Sequence, residues 1–242
     1  DKTVSLECKY DDIKHITNNN VYAVKENGNI KILNEDKTIE ISSGFDDVTE
    51  MFNNYVIIKS NNKYGVINTK NEEIIKPEYD DLKYTFGNNF IAKKNNKYGI
   101  IDIENKTKLD FVYDSLTYRK DADLLVGSQG EEEPKIIDKE FNEKLQGIIS
   151  KVDTEKGYIK IYENGEYKYY NFKLEKKENT EIFPNNTLFL SKKDGKYGYI
   201  NKFGNVVIDY VYNDATEQNE YGYACINKDG KWGVIDKNGN II

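Results

Sequence analysis

Carboxylates that follow an aromatic ring are the residues of this 242-residue chain whose type and spacing point most directly to chemistry. Tyr10-Asp11-Asp12-Ile13, Phe45-Asp46-Asp47-Val48, Tyr79-Asp80-Asp81-Leu82, Tyr113-Asp114-Ser115-Leu116 and Tyr212-Asn213-Asp214-Ala215 keep a common period of about 34 residues. Brought to one mouth of a repeat structure, Asp11, Asp12, Asp46, Asp47, Asp80, Asp81, Asp114 and Asp214 form an acidic ring suited to a cation or a cationic peptide group. The competing use is structural. An Asp at a chain corner accepts backbone N–H groups and fixes the turn, and this is the role expected of most of them.

Little else in the inventory supports catalysis. The single histidine, His15, and the single arginine, Arg119, exclude His-based metal clusters and any site that grips an anion with several guanidinium groups. His15 is expected on a strand surface, and no Gly-x-Ser-x-Gly context surrounds a nucleophile. Paired carboxylates, as used by polysaccharide hydrolases or lyases, remain compatible with the composition. Neither metal nor cofactor is expected. Cys8 and Cys225 are too few for a disulfide framework and are expected to be free and mostly buried. A net charge of -7, with Lys and Asp/Glu interspersed, excludes a nucleic-acid surface. No apolar run of membrane-spanning length occurs, and the opening residues lack a charged-then-apolar signal pattern.

The elements that position these residues are announced by a second marker, Lys63-Tyr64-Gly65, Lys97-Tyr98-Gly99, Lys196-Tyr197-Gly198 and Lys231-Trp232-Gly233. Equivalent positions fall at Ile30, Tyr64, Tyr98, Pro134, Tyr167, Tyr197 and Trp232, which gives seven units at approximately 11–45, 46–79, 80–113, 114–149, 150–179, 180–212 and 213–242 plus 1–10. Just before each triplet stands a turn pair such as Asn61-Asn62, Asn95-Asn96, Asn27-Gly28, Asp194-Gly195 or Asp229-Gly230. Such pairs between apolar runs predict two-residue hairpins, because a type I′ turn needs positive φ at both central residues. Runs such as Glu73-Ile74-Ile75-Lys76 and Asp81-Leu82-Lys83-Tyr84 complete a unit of four short strands. The triplet glycine reads as a close packing contact or a bulge, repeated in each unit.

Units four and five depart from the pattern, with Pro134-Lys135 in place of Tyr-Gly and Ile149-Ser150-Lys151 in place of Tyr-Asp-Asp. Tyr118-Arg119-Lys120-Asp121 and Gly130-Glu131-Glu132-Glu133-Pro134 lie in this stretch and are candidates for specificity on a rigid scaffold. Val4 to Asp12 matches Val206 to Asp214, so the two ends carry complementary parts of one unit. The expectation is a single all-β domain, residues 1–242, closed as a seven-bladed β-propeller of short four-stranded blades whose termini share the last blade. An open β-hairpin solenoid is the alternative.

At Lys231-Trp232-Gly233-Val234-Ile235-Asp236-Lys237-Asn238-Gly239-Asn240 the sequence resembles the bacterial WG repeats, also called KWG repeats. Tyr replaces Trp in every triplet but the last, a conservative change for packing. The resemblance implies a β-rich bacterial repeat protein of the cell surface or the extracellular space, without a general enzymatic activity. Together these readings lead to the expectation of a monomeric, non-enzymatic module that binds a protein, peptide or glycan partner. A carboxylate-based hydrolase or lyase, or a structural spacer, is the alternative.

Overall fold

A computed structural model describes residues 9–16, 21–33, 38–41, 44–183 and 188–242. Among these residues the chain forms seven antiparallel sheets, one after another along the sequence. The first holds β1 (Asp12–His15), β2 (Tyr22–Glu26), β3 (Asn29–Leu33) and β4 (Thr38–Ile41). The second holds β5 (Asp47–Phe52), β6 (Tyr55–Ser60), β7 (Lys63–Asn68) and β8 (Glu73–Tyr79). The third holds β9 (Asp81–Tyr84), β10 (Asn89–Lys94), β11 (Lys97–Asp102) and β12 (Thr107–Tyr113). The fourth holds β13 (Ser115–Arg119), β14 (Leu124–Ser128), β15 (Lys135–Ile137) and β16 (Glu143–Gln146). The fifth holds β17 (Ile148–Asp153), β18 (Tyr158–Glu163), β19 (Glu166–Tyr170) and β20 (Lys176–Lys177). After a helical turn, α1 (Asn179–Ile182), come a sixth sheet of β21 (Phe189–Lys193), β22 (Lys196–Ile200) and β23 (Val206–Tyr212), and a seventh of β24 (Asp214–Ala215), β25 (Ala224–Lys228) and β26 (Lys231–Ile235).

Local sequence explains the repeat. Asn27-Gly28, Asn61-Asn62, Asn95-Asn96, Asn164-Gly165, Asp194-Gly195 and Asp229-Gly230 hold φ between 49° and 83° at both positions, so the predicted type I′ hairpins form. The next turn uses an Asx side chain. Asn68, Asp102, Asn171, Asn201 and Asp236 each accept, through Oδ1, the N–H groups two and four residues on, at 2.8–3.1 Å. That turn delivers the chain to the outer strand.

The triplet glycine is a close-approach residue. A Cβ on Gly65 would stand 2.5 Å from the Ile75 carbonyl oxygen, on Gly99 2.6 Å from that of Leu109, and on Gly198 2.6 Å from that of Ile208. Register shifts flank the same three glycines, where the outer strand bulges toward them. The expected packing role holds at these three glycines and not at Gly233, where a Cβ would meet only Ile226 side-chain atoms among the described residues.

By contact the chain divides into two compact units, Asp1–Thr117 with Gly127–Gly130, and Tyr118–Val126 with Glu131–Ile242. In the first unit, Ala23, Ile32, Val48, Val56 and Ile58 fill the space between the first two sheets, and Phe52, Ile57, Val66, Leu82, Phe90 and Ile101 that between the second and third. In the second unit, Leu124, Ile136, Ile159 and Ile161 form one cluster. Tyr158, Tyr169, Phe183 and Phe189 form another, and Leu190, Tyr199, Tyr212, Ile226 and Ile235 a third. Strand periodicity sends alternate residues into these cores and leaves the corner carboxylates outside.

Several expectations need correction. The sixth and seventh sheets have three strands among the described residues, not four. A helical turn occurs where none was expected, closed by a reciprocal Glu178–Glu181 capping box. Lys135, rather than Pro134, stands opposite Gln146 as Tyr98 stands opposite Tyr113, because Pro134 lacks the N–H a strand needs and remains just outside β15. The Tyr-Asp-Asp position of the fifth unit is Gln146-Gly147-Ile148, not Ile149-Ser150-Lys151, since Ile148 pairs with Tyr162 as Asp81 pairs with Lys93. Cys225 is a free thiol but exposed, on the outward-facing side of β25. Cys8 and the first strand-like residues, on which the shared-blade expectation rests, lie outside the described residues.

Candidate functional site

The acidic markers at Asp46, Asp80, Asp114 and Asp214 each occupy the corner between the outer strand of one sheet and the first strand of the next, and Asp11 and Asp12 lead into β1. The first marker residue ties this corner to the following hairpin. The backbone N–H of Asp11, Asp46, Asp80, Asp114 and Asn213 donates to the carbonyl of Lys25, Lys59, Lys93, Ser128 and Asn227, each at 2.8 Å. The side chain then often caps the hairpin turn. Asp11 accepts the Asn27 N–H at 2.8 Å, Asp114 that of Gly130 at 2.8 Å, and Asn213 that of Asp229 at 3.1 Å. The second marker residue accepts the N–H of its own successor, as Asp12, Asp47, Asp81 and Asp214 do at 2.8–3.0 Å.

The two sequence markers meet at this corner. Lys63 reaches Asp80, and Lys97 reaches Asp114, in both cases across 17 residues, at 2.5 and 2.6 Å. The ammonium of Lys63 holds the Asp80 carboxyl below the usual range, and the Gly130 N–H followed by Lys97 does the same for Asp114. Both corners stay ionised. At Asp46 the residue 17 positions earlier is Asn29, so no lysine arrives, and among the described residues the Asp46 carboxylate has no hydrogen-bond or ion-pair partner.

The structure brings three of the eight predicted site residues together. Asp12, Asp46 and Asp47 line an open cleft of about 420 Å³ between the first and second sheets, with Lys14, Lys25 and Lys59 among the other lining residues. Lys14 bridges the sheets by pairing with Asp47 at 3.0 Å. Asp11, beside Asp12, is not among the lining residues, and Asp80, Asp81, Asp114 and Asp214 stand at other corners. Among the described residues no group of three or more His, Cys, Asp or Glu side chains is arranged to hold a metal ion.

Known proteins share the repeat that builds these corners. The WG containing repeat family matches residues 1–29, 64–98 and 197–232. Three stretches of the chain match WG repeats. No curated protein matches the sequence. Among solved structures, Hsv2 of Kluyveromyces lactis is similar at 8% identity and a TM-score of 0.39, covering 93% of this chain and 74% of that one. PorZ, a bacterial surface component of the type-IX secretion system of Porphyromonas gingivalis, is similar at 9% identity and a TM-score of 0.38, covering 96% and 38%. Likeness of this degree assigns neither partner nor activity.

Two features of the structure were not evident from the sequence. The triplet ring is covered by a lysine on the paired hairpin strand. Lys59 lies over Tyr64, Lys93 over Tyr98 and Lys192 over Tyr197, with 4.8–5.6 Å from nitrogen to ring centre. Its signal was a lysine five residues before each of these tyrosines. The second feature is a largely buried polar knot. Glu217, four residues after the marker Asn213, accepts from Lys160 Nζ at 2.8 Å and the Leu190 N–H at 3.2 Å, and also from the Tyr169 hydroxyl. Three sheets of the second unit are thereby joined at one carboxylate. Burial first, then the Glu217 charge, drives the Tyr169 phenol far above its ordinary value. Val48-Thr49-Glu50 repeats the phase of Ala215-Thr216-Glu217, and Glu50 likewise accepts a backbone N–H, from Tyr84 at 3.1 Å.

The remaining singular residues have surface roles. His15 is exposed with its ring 5.1 Å from that of Tyr22, and Arg119 forms a two-pronged contact with Asp121 at 2.7 and 3.0 Å. No helix among the described residues is long and apolar enough to cross a membrane, which says nothing of a β-barrel.

Proposed function

We propose that this WG-repeat chain is a non-enzymatic binding module, and that it takes a protein or peptide segment at the cleft between the first and second sheets. One observation carries this reading. Asp46 keeps an uncommitted carboxylate in an open cleft, whereas the equivalent Asp80 and Asp114 are engaged by lysines. Repeat scaffolds vary such corners without loss of core packing, so a position released from its structural duty is where recognition can settle. The marker carboxylates are distributed over separate corners, which favours contact with an extended surface over bond cleavage in a single deep site. A place on a bacterial surface or in the extracellular space belongs to the same proposal, supported by the kind of protein in which such repeats occur.

The test is a peptide array spanning charge patterns, probed with the whole chain and with its Asp46→Asn/Asp47→Asn variant. Selective binding that weakens in the variant is the expected result. Uniform or absent binding contradicts the proposal, as does release of reducing ends from a polysaccharide that Asp46→Asn abolishes.

A further inference from the structure

The cleft is lined by charges of both signs, and two of them are uncommitted. Asp12 lies opposite Lys25 in the β1–β2 ladder, and Asp47 opposite Lys59 in the β5–β6 ladder. Lys14 already neutralises Asp47. Asp12 accepts the Ile13 N–H, and the Lys59 ammonium rests over the Tyr64 ring. That leaves the Asp46 carboxylate and the Lys25 ammonium, neither of which has a hydrogen-bond or ion-pair partner among the described residues. Ala23, Val24 and Ile30 are the aliphatic residues of the lining.

Resting on the binding reading above, we infer that the segment recognised here is a mixed-charge peptide, presenting a cationic and an anionic side chain together, with the cation at Asp46 and the anion at Lys25. Uniformly charged segments fit less well. A polycation meets Lys14, Lys25 and Lys59 in the same cleft, and a polyanion meets Asp12, Asp46 and Asp47, so like-charge contacts oppose each. In an extended peptide, residues i and i+2 project to one side, with a spacing of roughly 7 Å, so one cationic and one anionic side chain can enter the cleft together. The volume lies in the range of roughly 300–1,000 Å³ that accommodates a ligand of a few residues.

Calorimetric titration of the whole chain with three capped peptides decides the matter: acetyl-Gly-Lys-Gly-Glu-Gly-amide, its Lys/Lys counterpart and its Glu/Glu counterpart. The mixed peptide is expected to bind about tenfold tighter than either uniform one, the scale of one additional charge-assisted hydrogen bond together with one repulsion avoided. Asp46→Asn and Lys25→Met are each expected to remove most of that preference. Asp81→Asn, at a separate corner, is expected to leave it unchanged. Tighter binding of the Lys/Lys peptide, still sensitive to Asp46→Asn, overturns the mixed-charge inference and leaves the binding reading standing. If none of the three binds, both fall.

Discussion

At the scale of single residues, the recurring glycine and the recurring aspartate are explained by what stands beside them. Gly65, Gly99 and Gly198 face an outer-strand carbonyl at a distance no Cβ tolerates, whereas a Cβ on Gly233 would find only Ile226 side-chain atoms, at 3.8 and 3.9 Å, among the described residues. Gly198→Ala is therefore expected to lose about 1–3 kcal/mol, as overpacking does, and Gly233→Ala to stay within about 0.5 kcal/mol of the parent. Urea unfolding of both variants checks this. Equal losses would show that something covers Gly233, as a fourth strand on the last sheet would. The lysine and aspartate markers were each legible in the sequence, but their partnership across 17 residues was not, because only the fold shows which corner a long lysine reaches. Asp46 was legible only as one of eight equals. What sets it apart is Asn29, which is too short and uncharged to do what Lys63 and Lys97 do at the equivalent positions.

At the scale of elements, hairpins, Asx turns and outer strands follow from local sequence, since each is specified by turn chemistry and alternation over a few residues. Drift hides the phase in the fourth and fifth sheets. There, loss of the aromatic and acidic markers leaves the phase to ladder hydrogen bonds, which sequence does not display. Glu217 was illegible for a related reason: its partners Lys160, Tyr169 and Leu190 come from two other sheets. The side chains of Lys160 and Glu217 keep only 10% and 19% of their exposure, so removing one charge strands the other. Lys160→Met is expected to lose about 3–5 kcal/mol in a denaturant titration, while Lys160→Met/Tyr169→Phe/Glu217→Leu, which removes all three polar side chains together, recovers most of it. A loss in the triple variant larger than the single one would refute the assignment of this knot as a staple that needs all its members.

At the scale of the whole molecule, buried phenols set the alkaline limit. Burial pushes Tyr79 up to about 12, and burial likewise raises Tyr169 and Tyr199. Below about pH 10 both folded and unfolded chains keep these protons; above it the unfolded chain releases them first, so it binds fewer protons and stability falls as pH rises. Denaturation midpoints are expected to hold between about pH 7 and 9 and to drop by pH 11. At the acidic end the lowered carboxyls of Asp80 and Asp114 act in the opposite sense. Their contribution is present above the ordinary carboxylate range and fades as pH falls through it, weakly, because both are exposed.

The all-β class, the seven sheets and the WG repeats were legible because periodicity survives drift in individual residues. The cleft was not, because it depends on which side chains a corner leaves uncommitted. Hydrogen–deuterium exchange with and without the mixed-charge peptide bears most directly on whether this cleft is the binding surface. Slowed exchange is expected in β1, β2 and the Asp46 corner, with the equivalent corners at Asp80 and Asp114 unchanged. Protection confined to other sheets, or spread evenly over all the acidic corners, would show that the cleft is not where the peptide binds.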